Sequence, residues 1–548
     1  MRPPHPRIRP ILIAVALAGA ALLAGCGAGQ PARVATASRP AGHGSGRRPL
    51  SIMESDGLLY TNAPVLFSAA RSLGVQVVRF NVLWSGYVTD PHSPSPPAGF
   101  AADNPASPGY DFTFLDALDR EAAAAGVRLF LTVTGPPPRW ARGAHPLLGR
   151  HGCGRCAQWE PVPAAYGAFV HALGTRYSGH FIAPGASTPL PRVSFWSLWN
   201  EPNYGPDLAP QSRLQGAGTL IVDTAAPQYR RLLAAGWAGL RSSGHTPGSD
   251  TILVGETAPV GELDPGIDNM TPPLQFLRDL YCVSSAYRPL TGAAAAAEGC
   301  PAGMSGGQFR ADNPALFDAS GWADHPYDYV VPPTVPQRAG ADGANFADFA
   351  RLPDLARALD RAAAAWGADP RLPIYNTEYG YFSDPPAHYD ALAPATIARY
   401  MNWTEYLSWS DPRIASYDQY LLTDPAAASG STFDTGLEFA DGQPKPDIYA
   451  AFELPLWLTR TRLARPGTLP VWGCVRPLDT APGTSGRVAI QYAPTGGGFR
   501  TLKTLTVNGR AGCYFDTTVR IGASGVLRLS FDPGHGAITS RSQAVVVG

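Results

Sequence analysis

The sequence predicts an α/β fold: a (β/α)8 TIM barrel followed by a small C-terminal immunoglobulin-like β-sandwich. Three observations predict it. Over residues 50–458, short apolar β-type runs alternate with Ala-rich helical stretches, and strand–helix alternation implies a parallel sheet. The runs are continuously apolar, as strands buried on both faces must be. Eight such units in about 400 residues suit a barrel with insertions. A doubly wound open sheet would carry a Gly-rich phosphate loop after its first strand, and Ser51-Ile52-Met53-Glu54-Ser55-Asp56 is not one.

Taken in chain order, the N-terminus reads as an address. Arg2, Arg7 and Arg9 precede an apolar run over 11–23 that ends in Leu23-Ala24-Gly25-Cys26. A charged leader, a short apolar core and small residues describe a secretory signal, and the run is short for a transmembrane helix. Leu-Ala-Gly-Cys resembles the bacterial lipobox. That resemblance implies a signal peptide over 1–25, lipid on the Cys26 sulfur and a flexible tether over 26–49. An ordinary signal peptide with an incidental cysteine is the simpler alternative.

The barrel is expected over 50–460. Its strands are predicted at 50–53, 75–82, 127–133, 193–199, 251–255, 315–324, 372–376 and 414–420. The helices between them are predicted at 64–73, 112–125, 163–177, 227–241, 273–281, 346–366, 394–408 and 447–458. Tyr166, Phe169, Val170, Leu173 and Tyr177 recur at helical spacing, and Pro163 suits a first turn. Near Pro466 the helical stretches stop. Short strands at 469–475, 487–492, 501–507, 513–521 and 526–531 follow, with the hairpin signal Asn508-Gly509. Leu527, Leu529 and Phe531 alternate with Arg528 and Ser530, as in a half-buried strand. The β-sandwich is placed at 466–548, with a structural role as its default.

Composition narrows the function. The 43 basic and 43 acidic residues cancel, so no basic excess exists to hold nucleic acid or an anionic membrane. Gly (59) and Pro (56) are frequent and dispersed without a repeat, which implies long loops. Besides Cys26 there are six cysteines, an even number suggesting disulfides in an exported chain. Sequence order suggests Cys153–Cys156, Cys282–Cys300 and Cys474–Cys513, although six cysteines permit about fifteen connectivities. Cys153-x-x-Cys156 lacks a second ligand pair for zinc. It lies in a Gly/Arg loop rather than opening a helix as a redox motif would.

In a β/α barrel, chemistry sits at the C-terminal ends of the strands. Two carboxylates stand there. Val193-Ser194-Phe195-Trp196-Ser197-Leu198-Trp199 runs into Asn200-Glu201-Pro202, and Leu372-Pro373-Ile374-Tyr375 runs into Asn376-Thr377-Glu378. A single such Glu is most often a solvated loop residue; two at strand mouths can divide acid and nucleophile roles.

The chain here resembles the clan-A glycoside hydrolases, which have Asn-Glu-Pro after strand four and Glu after strand seven. The resemblance covers the whole barrel. It implies Glu201 as acid/base, Glu378 as nucleophile and Asn200 on the sugar 2-hydroxyl. It also implies that Arg79, ending strand two, supports Glu378. His325 and Tyr327 follow strand six in His-x-Tyr; Tyr327 is expected to donate to Glu378 and His325 to contact substrate. Trp84 and Trp140, just past strands two and three, are candidates for sugar stacking. Tyr420 stands where relatives carry a Trp that floors the sugar; Trp403 and Trp409 are alternatives. The stretch Thr132 to Trp140 lacks the His usual in cellulase-like family five and is similar to family thirty-nine. Glu54 and Asp56 could touch substrate, Asp318 and Asp324 flank strand six, and Glu256 has no partner in the sequence pattern.

The expected function is a retaining glycosidase with an oligosaccharide or polysaccharide substrate. No cofactor, metal or nucleic acid is expected, membrane contact only through Cys26, and a monomeric chain. Its rivals are a non-catalytic carbohydrate-binding protein on the same barrel and the solute-binding lipoprotein of a transporter.

Overall fold

The structure, a computed structural model, describes residues 48–548 apart from 145–157, 216–219, 263, 268, 302, 339–342, 388–389, 427–432, 479–483, 509–512 and 535. The expectations for the leader, for Cys26, for Cys153 and Cys156, and for Gly509 lie outside the described residues.

Eight parallel strands close into a barrel: β1 (Leu50–Glu54), β2 (Val77–Leu83), β3 (Arg128–Thr134), β4 (Phe195–Leu198), β5 (Thr251–Thr257), β6 (Gly321–Asp324), β7 (Ile374–Asn376) and β8 (Ile414–Tyr420). Neighbours follow sequence order around the ring, with β1 pairing β2 on one side and β8 on the other. Each strand is followed by a helix: α1 (Asp56–Ser72), α2 (Thr113–Ala125), α3 (Pro163–Arg176), α4 (Ala225–Ser242), α5 (Pro273–Leu280), α6 (Leu352–Ala365), α7 (Pro394–Ser410) and α8 (Pro446–Glu453). The apolar stripe of α3 is buried as its spacing predicts, with Pro163 in the first turn.

The barrel interior explains where function can sit. Ile52, Val77, Phe130, Phe195, Leu253, Ala323, Tyr375 and Ala415, one from each strand, form a separate apolar plug. Side chains two residues apart share a strand face. The next inward positions are Glu54, Arg79, Thr132, Ser197, His325 and Thr377, all buried. The lining thus changes from apolar to polar in one step toward the strand ends. On β5 the step is broken by a register shift between Gly255 and Thr257. Gly255 has φ +105°, and a Cβ there would meet the Trp322 ring at 2.6 Å. Glu256, itself at φ +50°, takes the inward position.

Some sequence expectations need correction. Residues 315–324 are not one strand: Ala315–Asp318 is a helical turn and only Gly321–Asp324 pairs. Helix α1 begins at Asp56, eight residues before the expected start, with non-helical backbone at Asn62. An antiparallel hairpin, Ser212–Gln215 with Leu220–Asp223, interrupts the β4–α4 connection. Cys282–Cys300 pins the loop after α5, and Cys474–Cys513 forms as expected.

Beyond α8 the described elements are strands apart from a 3-10 turn at Arg476–Leu478: β9 (Leu456–Trp457), β10 (Arg462–Leu463), β11 (Gly467–Cys474), β12 (Ser485–Pro494), β13 (Arg500–Asn508), β14 (Tyr514–Ile521), β15 (Gly525–Phe531), β16 (Ile538–Thr539) and β17 (Gln543–Val547). One sheet runs β9-β11-β14 and the other β10-β17-β15-β12-β13, with β16 beside β15. Leu469, Val471, Val488, Ile490, Leu527 and Leu529 share one core between them.

These sheets join the barrel near the start of β1, away from the strand ends. Arg476 is buried there and donates to Glu405 Oε1 on α7 at 2.6 Å and to Ser51 Oγ at 2.6 Å. Tyr514 donates to the same Glu405 oxygen at 3.1 Å. Trp403 stacks on Trp457 at 5.2 Å, and Trp409 packs on Trp472 at 6.0 Å. Both tryptophans therefore belong to this contact and not to a sugar floor.

Removing one member of a buried ion pair costs more than removing both, because it strands the other charge. Arg476→Met is expected to destabilise the chain by about 3–5 kcal/mol. Arg476→Met with Glu405→Leu should recover most of that loss. Calorimetric melting of the two variants checks this; a double variant no more stable than the single one would contradict it.

Candidate active site

Arg79 is the centre of the polar layer. It is fully buried and points up from β2. Its Nη1 donates to Glu378 Oε1 at 2.7 Å and to Glu54. Its Nη2 donates to Asn200 Oδ1 at 2.7 Å and to Glu256 Oε2 at 3.0 Å, and Nε to Thr132 Oγ1 at 3.0 Å. Burial works against its charge, but Glu256, Glu54 and Glu378 outweigh burial and hold its pKa above the ordinary value. A planar five-donor fork is the side chain that can serve so many acceptors at once.

Glu378 stands two residues beyond β7. Arg79 holds one of its oxygens, and the Tyr327 hydroxyl donates to the other at 3.1 Å. Glu201 stands beyond β4 on a sharp turn in which Trp199 has φ +77° and Glu201 φ +37°. That turn aims its carboxyl inward, where Oε1 meets His325 Nδ1 at 2.8 Å. Burial raises the Glu201 pKa, with the His325 contact opposing.

His325 continues the chain. Its Nε2 meets Glu256 Oε2 at 2.6 Å, and Thr377 Oγ1 donates to the same oxygen at 3.0 Å. Burial would neutralise the imidazole, but Glu378, Glu201 and Glu256 outweigh it and raise its pKa well above the ordinary value. Burial likewise opposes ionisation of Glu256, yet Arg79 and His325 pull its pKa down to about 2. The resulting unit is a carboxylate, an imidazolium donating from both nitrogens and a carboxyl of raised pKa.

One oxygen each of Glu201 and Glu378 and one His325 nitrogen lie within 4.8 Å of one another. Such compactness also suits a metal. Here both histidine nitrogens already face carboxylate oxygens, Nδ1 that of Glu201 and Nε2 that of Glu256, so an ion would have to displace one of these contacts. The donor set fits proton transfer better than metal ligation.

Aromatic rings wall the site beyond β6–β8. Tyr420 meets Tyr327 at 6.3 Å and Phe433 at 5.5 Å, and Phe433 meets Phe382 at 5.2 Å. Tyr329 stacks between Tyr327 and Phe382.

Of the residues singled out from sequence, Glu201, Glu378, Arg79, Asn200, His325, Tyr327 and Tyr420 come together at the strand ends. Three expectations change. His325 is fully buried and fully engaged, so it orients Glu201 instead of meeting substrate. Trp84 is fully buried and stacked on Phe169 at 5.6 Å, which leaves no ring face for a sugar. Glu256, read as unpaired, has Arg79, His325 and Thr377 as partners. Trp140 is half-buried, edge-on to Trp84 at 6.1 Å. Glu54 is spent on Arg79 and Asn81, and Asp324 accepts from Thr257 at 2.6 Å. Asp318 merely ends its helical turn.

Two further carboxylates join the site. Asp56 is half-buried, with a pKa raised to about 7 by burial against the pull of Arg79. Asp207 is half-buried in the connection after Glu201, its pKa raised well above the ordinary value by burial and by Glu201. No sequence signal marks Asp207, because it lies in an irregular insertion.

No family model matches the chain, and no curated protein matches it. Among solved structures it is similar to a glucosidase from Croceicoccus marinus at 13% identity, covering 92% of this chain and 98% of that one, with a TM-score of 0.46. It is similar to a family 39 glycoside hydrolase from the gut symbiont Bacteroides cellulosilyticus WH2 at 15% identity, covering 86% and 81%, with a TM-score of 0.43. A fungal β-1,4-galactanase matches at 12% identity over 71% of this chain and 98% of that one, with a TM-score of 0.36. Likeness at these levels assigns no function, and the reading below rests on the site itself.

The histidine state is directly measurable. Nitrogen NMR of labelled histidine, with His325→Asn to assign the signal, should show both ring nitrogens protonated at pH 8. Glu256→Gln should lower that titration by about one pH unit or more. A His325 ring already neutral near its ordinary pKa would contradict the arrangement.

Proposed function

We propose that this chain is a retaining glycoside hydrolase acting on a β-linked glycan, with Glu378 as nucleophile and Glu201 as acid/base. One observation carries the reading: two facing glutamates of the same chemistry have been given opposite environments. Glu378 accepts from the Arg79 guanidinium on one oxygen and from the Tyr327 hydroxyl on the other. Glu201 is buried with a raised pKa, as a general acid requires. Carboxyl groups about 5–5.5 Å apart suit covalent double displacement, whereas inverting enzymes leave about 6.5–9.5 Å for a water. An approach within 4.8 Å favours the former.

In the first step a Glu378 oxygen bonds to the anomeric carbon as the glycosidic C–O bond breaks. The Glu201 proton passes to the leaving oxygen. His325 occupies Oε1 of Glu201, so the proton to be given resides on the other oxygen. In the second step Glu201 takes a proton from water, whose oxygen bonds to the anomeric carbon and releases Glu378. The imidazolium of His325 then steadies the Glu201 carboxylate between the two steps. Asn200, fixed through Oδ1 by Arg79 and bonded through its amide to Asp207, turns its remaining N–H to the substrate 2-hydroxyl. Tyr420, and Trp140 with its remaining exposed surface, supply sugar-stacking faces.

The rest of the chain suits an exported enzyme. We read 1–25 as a lipoprotein signal, 26–49 as a tether from Cys26, 50–460 as the catalytic domain and 466–548 as an immunoglobulin-like spacer. Both described disulfides are compatible with export. Among the described residues no helix is long and apolar enough to cross a membrane. A binding protein has no need of an acid and a nucleophile in contrasting environments, so the non-catalytic reading is the weaker one.

On a panel of aryl β-glycosides, Glu378→Gln should lower kcat at least about 10³-fold, equivalent to ~4 kcal/mol. Glu201→Gln should spare dinitrophenyl leaving groups far more than poorer ones. Proton NMR of the first product should show the β anomer. Undiminished turnover by Glu378→Gln, or an α first product, would sink the assignment.

The pH dependence follows from the raised Glu201 pKa. The proton is present below that pKa and lost above it, so kcat/KM falls on the alkaline side. For a dinitrophenyl substrate, which needs no acid, the alkaline fall should be absent or much weaker. An identical alkaline limb for both substrates would refute the acid role.

A further inference from the structure

A second feature lies on the outer wall of the barrel, along the first turns of α6. Arg351, directly before α6, and Asp354, Arg357 and Arg361 within it are spaced three, three and four residues apart. They line one side of the helix, while Leu352, Leu355 and Leu359 bury the other. Arg278 of α5 and Tyr287 face them across a groove of about 350 Å³.

Four guanidinium groups thus share one groove with a single carboxylate, in a chain whose overall charge is zero. Asp354 is shared by Arg357 and Arg351, the latter at 3.7 Å, and Arg351 also donates to the Arg338 carbonyl at 3.1 Å and lies 4.0 Å from Asp348. Arg278 gives one bond, to Asn345 Oδ1 at 2.9 Å. Arg361 lies over the Tyr287 ring at 4.1 Å and has no hydrogen-bond or ion-pair partner among the described residues. Arg361 therefore keeps its whole guanidinium for a ligand, and Arg278 and Arg357 each bond one side chain. Clustered arginine forks match the planar or tetrahedral oxygens of carboxylates and phosphates.

We propose that this groove binds an oxyanion, the carboxylate or phosphate of an acidic glycan, and so holds the polymer on the barrel wall. That the carrier is a glycan rests on the glycosidase reading; that the ligand is an oxyanion rests on the arginines alone. Nucleic acid is disfavoured because the attraction is local to one groove of four arginines.

Calorimetric titration of the full chain at low ionic strength tests this, with polygalacturonate, polyphosphate, neutral dextran and a single-stranded oligonucleotide as probes. At least one of the two polyanions should bind while dextran and the oligonucleotide do not. The polyanion that binds identifies the oxyanion as carboxylate or phosphate. Arg357→Ser with Arg361→Ser should weaken that binding by about tenfold or more and leave melting temperature and aryl-glycoside turnover unchanged. The proposal is overturned if neither polyanion binds, if the double variant binds as well as the parent, or if the oligonucleotide binds equally. Failure of the glycosidase reading would show separately, as an absence of aryl-glycoside turnover in the parent chain.

Discussion

A buried guanidinium that must be neutralised organises this barrel. Arg79 rises from β2 just above the apolar plug, where an unpaired charge would be prohibitively costly. Its neutralisation requires Glu54 from β1, Glu256 from β5 and Glu378 from beyond β7. Those strands lie on different sides of the ring, so the charge is satisfied only when the barrel has closed. The same contacts that make closure tolerable place Glu378, the proposed nucleophile. Stability and site geometry are here one arrangement, and a substitution at Arg79 cannot disturb one without the other.

The second consequence is the contrast between the surroundings of Glu201 and Glu378. Carboxyl groups this close repel, and the repulsion has to be resolved by their surroundings. Arg79 and Tyr327 supply donors to Glu378. Glu256, anchored by Arg79, polarises His325, and His325 fixes one oxygen of Glu201. Arg79 therefore reaches both glutamates: one directly, the other through Glu256 and the imidazole. The aromatic wall of Tyr327, Tyr329, Phe382, Tyr420 and Phe433 limits water around the pair, which strengthens each of these electrostatic contacts.

Much of this was legible in the sequence because strand periodicity and strand ends are local properties. The apolar runs and the strand-end positions of Glu201 and Glu378 follow from chain order, and Arg79 and Tyr327 in support follow from the resemblance to clan-A glycoside hydrolases. What escaped depends on the third dimension. Glu256 was undervalued because a register shift at Gly255 turns it inward against simple alternation. Trp84 has the sequence position of a sugar platform, but Phe169 of α3 covers its face. Trp403 and Trp409 look like floor residues until the C-terminal sheets are seen to pack on α7. Residues 315–324 combine a helical turn and a strand that share one apolar run, and no periodicity separates them. Asp207 sits in an insertion without pattern.

The central claim is that Glu378 forms a covalent bond to the sugar while Glu201 moves protons. Trapping with 2,4-dinitrophenyl 2-deoxy-2-fluoro-β-glycosides, matched to the preferred glycone, followed by peptide mass spectrometry, tests it most directly. The account predicts one fluorosugar per chain, attached to Glu378, released slowly as activity returns. A label on Glu201, or full turnover of the parent glycoside with no trapped species, would contradict it.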